Sequence, residues 1–299
     1  MTIGTSVDRA LEILRSGGLV GIPTETVYGL AADASNPDAV RRVFAAKGRP
    51  PDHPLIVHIA DAEQLTEWAT EVPPAAAVLA ETCWPGPLTL LLPKAAHVLD
   101  LVTGGRPTVG VRVPAHPLTT ELLTRFGGGL AAPSANLFGK VSPTTAEHVH
   151  QDLGTLVDYV LDGGHCPVGV ESTIVDCTVD PPQILRPGGI PSEQVAALLD
   201  GRIAAPSGPS RAAGMLASHY APSARVLLVD SSAAALSRAA QLADAVVIDR
   251  TDNLVEYARS LYADLRRADD MGAAVIIAVM PPSGGLGHAI RDRLTKAAH

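Results

Sequence analysis

The sequence predicts an α/β protein in two unequal parts, and three observations carry that prediction. Through residues 1–200, apolar runs of strand length alternate with segments of helical period, the pattern of a mixed α/β domain. From Gly201 to Ala224 the period is lost in "GRIAAPSGPSRAAGMLASHYAPSA", rich in Pro, Gly, Ser and Ala, which reads as a linker or lid. Over 225–299 the strands "RVLLVD", "DAVVID" and "AAVIIAVM" are each followed by a helix-like segment, the alternation of a small Rossmann-like parallel α/β domain. A chain of 299 residues exceeds the usual single-domain size, and 46% hydrophobic residues supply a sizeable core.

The elements follow in order. The N-terminus has no basic segment leading into an apolar core. Ser6 can cap a first helix carrying Val7, Leu11 and Leu14 on one face, and Gly17 can stop it. After "GLVG", the stretch "IPTETVYGL" is read as a strand. Extended backbone would turn Thr24, Thr26 and Tyr28 to one face and Glu25 and Val27 to the other, either as a binding surface or as an exposed strand end before a turn at Gly29. Asn36 and Pro37 form an N-cap and first-turn pair for "DAVRRVFAAK", with Val40, Val43 and Phe44 inward, and Gly48 and Pro50 end that helix. "PLIVHIA" is a buried strand, and Asp61 with Gln64 resembles a capping box. Further strands are expected at "PLTLLL", "TVGVRV", "LAAP", "DYVL", "STIVDCT" and "QIL", and helices near 74–82, 117–125 and 143–153, with "PSEQVAALLD" closing the domain.

Composition excludes several classes. The cysteines Cys83, Cys166 and Cys177 are odd in number and form no CxxC pair, so neither a disulfide framework nor a zinc site is indicated. No apolar run reaches the roughly 18 residues of a membrane span, and a cytoplasmic location is expected. A net charge of −8 with 3% aromatic residues opposes tight, sequence-independent nucleic-acid binding, leaving an RNA-binding module as the alternative from a different class.

The chemistry-bearing residues cluster at rigid turns. In "AAKGRPPDHPLIVHI", Lys47 closes a helix, Arg49 follows in a Gly/Pro turn, and His53 and His58 flank a strand. A cation at a helix C-terminus is ordinary, but a turn holding two cations, one with a planar fork, suits phosphate or carboxylate. Similar turns at "GVRVPAHP", "APSAN" and "LRPGG" place Arg112, Ser134, Asn136 and Arg186 at strand ends. Each alone is an ordinary turn residue; together they would line the crevice where open α/β sheets bind ligands. "SGGLGHAI" lacks the third glycine and downstream acid of a dinucleotide loop and reads as a helix start, while His148 and His150 in "EHVHQD" do not share a helical face.

The ordered series "PTETVYGL", "AKGRP", "HPLIVHI", "WPGPLTLLL", "VRVPAHP", "APSAN", "ESTIVD" and "LRPG" resembles the YrdC-like threonylcarbamoyl-AMP synthase family, and "SHYAP" followed by a small α/β domain resembles its two-domain form. The resemblance implies a twisted mixed sheet with a concave ligand-binding face. It also implies a nucleotidyltransferase activity in which L-threonine, bicarbonate and ATP give threonylcarbamoyl-AMP and pyrophosphate. A partner transferase would then modify adenosine 37 of tRNAs reading ANN codons. By motif, Thr26, His58, Arg112, Ala132 and Ser172 would contact threonine, with Arg112 on its carboxylate. Arg49, His53, Thr108, Ser134, Ser142 and Arg186 would contact ATP, with Lys47 and Arg49 the catalytic cations at the phosphates and Tyr220 closing over the site; His53 stands where the family often has Asn. Mg²⁺ is expected to accompany ATP, its ligands unspecified. The rival enzyme reading, a carbamoyl-adenylate maturation enzyme, lacks here its zinc-binding Cys pairs.

Overall fold

The computed structural model describes residues 2–205 and 220–299. The first domain is a mixed sheet of β1 (Thr2–Gly4), β2 (Val20–Ile22), β3 (Gly29–Asp33), β4 (Ile56–His58), β5 (Leu88–Pro93), β6 (Thr108–Arg112), β7 (Leu130–Ala131), β8 (Tyr159–Leu161), β9 (Thr173–Asp176) and β10 (Gln183–Arg186). Their spatial order is β1-β8-β2-β3-β7-β4-β6-β5-β9-β10. The second domain is a parallel sheet of β11 (Arg225–Val229), β12 (Ala245–Ile248) and β13 (Val275–Val279), ordered β11-β13-β12.

Local chemistry sets the helices much as their caps predict. Ser6 Oγ accepts from the Arg9 amide at the start of helix Val7–Arg15, and Asn36 accepts from the Asp38 and Ala39 amides ahead of Pro37–Lys47. Such caps each stabilise by about 1 kcal/mol. Asp61 caps a short 3₁₀ turn, and Gln64 reaches back to the Ala60 amide. Helix Ala146–Leu153 begins later than residue 143 because Thr145 is the residue that caps it. The three cysteines are free and buried.

Two expectations are corrected. β1, too short to register as a periodic run, adds a parallel edge strand against β8. The stretch Pro23–Tyr28 is the loop joining antiparallel β2 and β3 and does not continue a strand. Thr24 Oγ1 accepts from the Thr26 and Val27 amides and donates to the Val27 carbonyl, so the side chain folds the backbone locally instead of leaving it extended. Tyr28 consequently turns into the core, where its hydroxyl donates to the Gly164 carbonyl.

The domains share a core. Val27, Val141 and Val170 of the first pack in one buried cluster with Tyr220 and with Tyr257, Leu261, Tyr262 and Leu265 of helix Leu254–Asp270. Gly169 (φ +80°) lies so close to that helix that a Cβ would come within 2.5 Å of the Ala258 carbonyl oxygen, so this contact admits only glycine. Across the same interface Arg266 forms a partly buried pair with Asp152, at 2.6 Å, and donates to the Val141 carbonyl. Of the segment expected to be a linker, Gly208, Gly214, Met215 and Leu216 lie outside the described residues. Tyr220 is described and is 1% exposed.

Candidate active site

The strand ends of the first domain open on a cleft enclosing about 600 Å³, part of it open to solvent. β4 and β6 run parallel with His58 opposite Arg112, so their C-terminal residues arrive together. Arg112 Nη2 donates to Thr26 Oγ1 (2.9 Å) and lies 2.8 Å from Glu25 Oε1, while Glu25 Oε2 accepts from the Ala115 amide. Glu25, expected to face away from the hydroxyl row, instead shares a guanidinium with Thr26, because the loop does not alternate as a strand does.

On the other side, β10 carries Arg186 past a bulge between Ile184 and Arg186, and its Nε and Nη2 donate to the Ser172 carbonyl at 3.1 and 2.9 Å. Ser172 Oγ also meets Arg186 Nη2 (3.0 Å) and Thr89 Oγ1 (2.7 Å). Gly188 lets the "LRPGG" turn press onto this strand, since a Cβ there would meet the Glu171 carbonyl oxygen at 2.3 Å. Arg49, just past the helix Pro37–Lys47, is held by the Pro54 carbonyl (3.0 Å) and faces the Phe138 ring at 5.7 Å. No carboxylate among the described residues pairs with it.

Nine expected residues line this cleft: Thr26, Arg49, His58, Arg112, Ala132, Ser134, Ser172, Arg186 and Tyr220. Lys47, His53, Thr108 and Ser142 do not. Lys47, expected beside the phosphates, is buried behind the wall, where its ammonium donates to the Ser134 and Asn136 carbonyls and fixes the loop that presents Ser134. Burial, and then Arg49, push its pKa well below the ordinary lysine value. His53 sits at the rim against Phe138, ring centroids 5.3 Å apart. Thr108 opens β6 opposite Pro93, and Ser142 donates to Glu171 Oε1 at 2.7 Å.

The wall's electrostatics favour an anion. Arg49, Arg112 and Arg186 are buried, and desolvated cations need counter-charge. Burial lowers Arg49 to about 10, opposed by Tyr220 and reinforced by Arg186, which leaves it a cation at neutral pH. Burial, then Arg112, lowers His58 to about 3, so the imidazole is neutral, and its buried Nδ1 has no hydrogen-bond partner. Glu171, the first residue of "ESTIVD" and not among the expected site residues, also lines the cleft. Its only sequence signal is a carboxylate set between the apolar stretches "VGV" and "TIV".

Residues 12–188 match the Sua5/YciO/YrdC family described as Telomere recombination, and residues 190–299 match the C-terminal domain described for threonylcarbamoyl-AMP synthase. The chain belongs to the threonylcarbamoyl-AMP synthase family. A family member from Pyrococcus abyssi is 42% identical over 97% of this chain and 93% of its own length. One from Bacillus subtilis is 41% identical over 98% of this chain and 92% of its own. The crystal structure of P. abyssi Sua5 complexed with L-threonine superposes with a TM-score of 0.93 at 40% identity, covering 99% of this chain and 96% of that one. This family member thus carries both domains of its relatives, the large mixed sheet and the parallel one. Among the described residues no helix is long and apolar enough to cross a membrane.

Proposed function

We propose that the chain synthesises L-threonylcarbamoyl-AMP from L-threonine, bicarbonate and ATP, releasing pyrophosphate as a nucleotidyltransferase, and supplies a transferase that modifies adenosine 37 of tRNA. The observation that carries this reading is the convergence of three buried guanidiniums, Arg49, Arg112 and Arg186, on one cleft with hydroxyls and a neutral imidazole between them. The named activity and threonine ligand of the relatives support it.

Arg112 takes the threonine carboxylate, a charge-assisted bond that replaces or shares its contact with Glu25. The unpartnered His58 Nδ1 and Thr26 face the substrate's own polar groups. The neutral amine attacks the carbon of carbon dioxide with loss of a proton, or of bicarbonate with loss of water, and the resulting carbamate oxygen attacks the α-phosphorus as the bond to pyrophosphate breaks. Both steps move negative charge, which Arg49 and Arg186 stabilise, while Tyr220 shields the short-lived carbamate from water. Among the described residues no cluster of three His, Cys, Asp or Glu side chains is placed to hold a metal. Mg²⁺ accompanying ATP would offset charge on the phosphates beside the arginines. The test is pyrophosphate release by the purified chain. The reading requires dependence on threonine, bicarbonate and ATP together, and release without threonine would overturn it.

A further inference from the structure

We infer that Glu25 is the proton acceptor for threonine's ammonium, brought into play when the substrate's carboxylate displaces it from Arg112. The inference rests on the function proposed above, whose first step needs a neutral amine.

Glu25 is 4% exposed. Its Oε2 is tied to the Ala115 amide at 2.9 Å. Its Oε1 lies 2.8 Å from Arg112 Nη2 yet is aligned for no hydrogen bond among the described residues, so charge alone holds it. Such a contact is readily exchanged, because a ligand carboxylate on the same guanidinium replaces the charge and adds a directed bond. Arg112 and Thr26, joined at 2.9 Å, line the cleft, and Glu25 stands behind them, so it reaches the substrate only through that exchange. His116 and Cys166 also face Glu25. Burial lowers the first below the usual histidine value and pushes the second up to about 12, so both are neutral at neutral pH and Arg112 supplies the counter-charge.

The other acceptors of the described wall are poorly suited. Burial, then Arg112, holds His58 at about 3, and charging it would set a second cation beside the guanidinium. Glu171 is saturated. Ser142 Oγ donates to its Oε1 at 2.7 Å, Arg293 Nε, from the second-domain helix Gly287–Ala297, donates to Oε2 at 2.7 Å, and the Tyr262 hydroxyl lies 2.9 and 2.7 Å from the two oxygens. Burial would raise the Glu171 pKa, but Arg293, then Arg186 and the Ser142 bond, outweigh it and hold the group at about 2.

Charge balance favours the exchange. Before it, the buried Arg112–Glu25 pair is neutral and threonine enters as a zwitterion. After it, threonine's carboxylate pairs with Arg112 and the ammonium has passed one proton to Glu25 Oε1. The electron pair of the broken N–H bond stays on nitrogen as the lone pair that attacks carbon. No unpaired charge remains in the desolvated site, whereas Glu25 parted from Arg112 and still ionised would be one. When the adenylate leaves, Glu25 returns to Arg112 and sheds the proton to water.

The experiment compares the full wild-type chain with Glu25→Gln. It measures pyrophosphate release from about pH 7 to 9, threonine affinity by calorimetry, and infrared difference spectra of threonine binding with α,β-methylene-ATP present. Glu25→Gln should lower the rate at saturating threonine by about 10²- to 10⁴-fold, the usual contribution of a positioned base, without weakening threonine binding, since the competing carboxylate is gone. The deficit should shrink by about tenfold per pH unit as free threonine loses its own proton. The wild-type spectrum should show a carboxylate lost and a protonated carboxyl gained, and the variant's should not. Matching losses of rate and affinity, or a deficit that does not change with pH, overturns the inference. If Glu25→Gln fails to fold by circular dichroism, the wild-type spectrum decides, and no gained carboxyl refutes the idea. A wild-type chain that binds threonine but releases no pyrophosphate overturns the function reading alone, and the spectrum still tests the proton transfer; one that binds no threonine overturns both.

Discussion

The two ends of the cleft hold their arginines in different ways. At the end assigned to threonine, Arg112 has a carboxylate, Glu25, from the same domain and a loop neighbour, Thr26, on one nitrogen. At the end assigned to the nucleotide, Arg49 meets backbone carbonyls and an aromatic face among the described residues, and Glu171, beside Ser172, is held by a guanidinium from the second domain. The threonine end is therefore charge-balanced without ligand and exchanges one carboxylate for another.

The widest separation of the two ends should come from substrate analogues. His58 is neutral with an unpartnered buried Nδ1, so an analogue lacking the hydroxyl leaves a polar site unmatched. Such a mismatch can discriminate by about 10⁴-fold, whereas a missing methyl costs roughly 1–3 kcal/mol. In kcat/KM, 2-aminobutyrate should fall below serine; the reverse order would break the assignment of this end. Next, Arg49→Ala should lower pyrophosphate release by about 10²- to 10³-fold, the usual cost of removing one preorganised charge stabiliser, with threonine binding intact by calorimetry.

Arg112→Ala acts on the opposite end. It should weaken threonine binding by about 2–4 kcal/mol with little change in the ATP KM. Because the substitution strands a buried Glu25, the Arg112→Ala/Glu25→Gln double variant should recover stability but not threonine affinity. Equal losses for both substrates in that double variant would merge the two ends into one site.

The smallest effect is on acid stability, and the two ends should differ in window. His58 has a folded pKa of about 3 against 6.5 unfolded, so the unfolded chain binds the extra proton between those values. Stability from this group is complete above pH 6.5 and is lost as pH falls toward 3, by at most about 1.4 kcal/mol per pH unit. His148, lowered to about 4 by burial and then Arg266, adds to the same window. Glu171, folded at about 2 against 4.5 unfolded, contributes above 4.5 and loses its contribution as pH falls through 2. Urea titrations at stepped pH should therefore separate His58→Asn from wild type already near pH 6, with the Glu171 loss entering only below about 4.5. Coincident curves down to pH 4 would mean that His58 is not held neutral by its site.

What the sequence by itself determined was the helix caps and the buried strands. Ser6 and Asn36 cap their helices through bonds spanning two or three residues, and the apolar runs of β5, β6 and β13 are too continuous to be anything but buried strands. The ordered turn motifs likewise brought most of the cleft within reach, because each places its polar residue at a strand end and the family resemblance says which ends meet. Tertiary structure decided the rest. Thr24 bends the opening stretch out of strand geometry, and this turns Glu25 onto Arg112; strand periodicity cannot foresee a side chain that competes for backbone hydrogen bonds. Lys47 has the same sequence signal whether it meets a phosphate or two carbonyls, and only the position of the Ser134 loop selects the carbonyls. Arg293 carried no signal at all, since a cation on an amphipathic last helix reads as surface. Its burial against Glu171 exists only once one domain docks on the other, because a buried charge is defined by the partner that desolvates it and not by its neighbours in the chain.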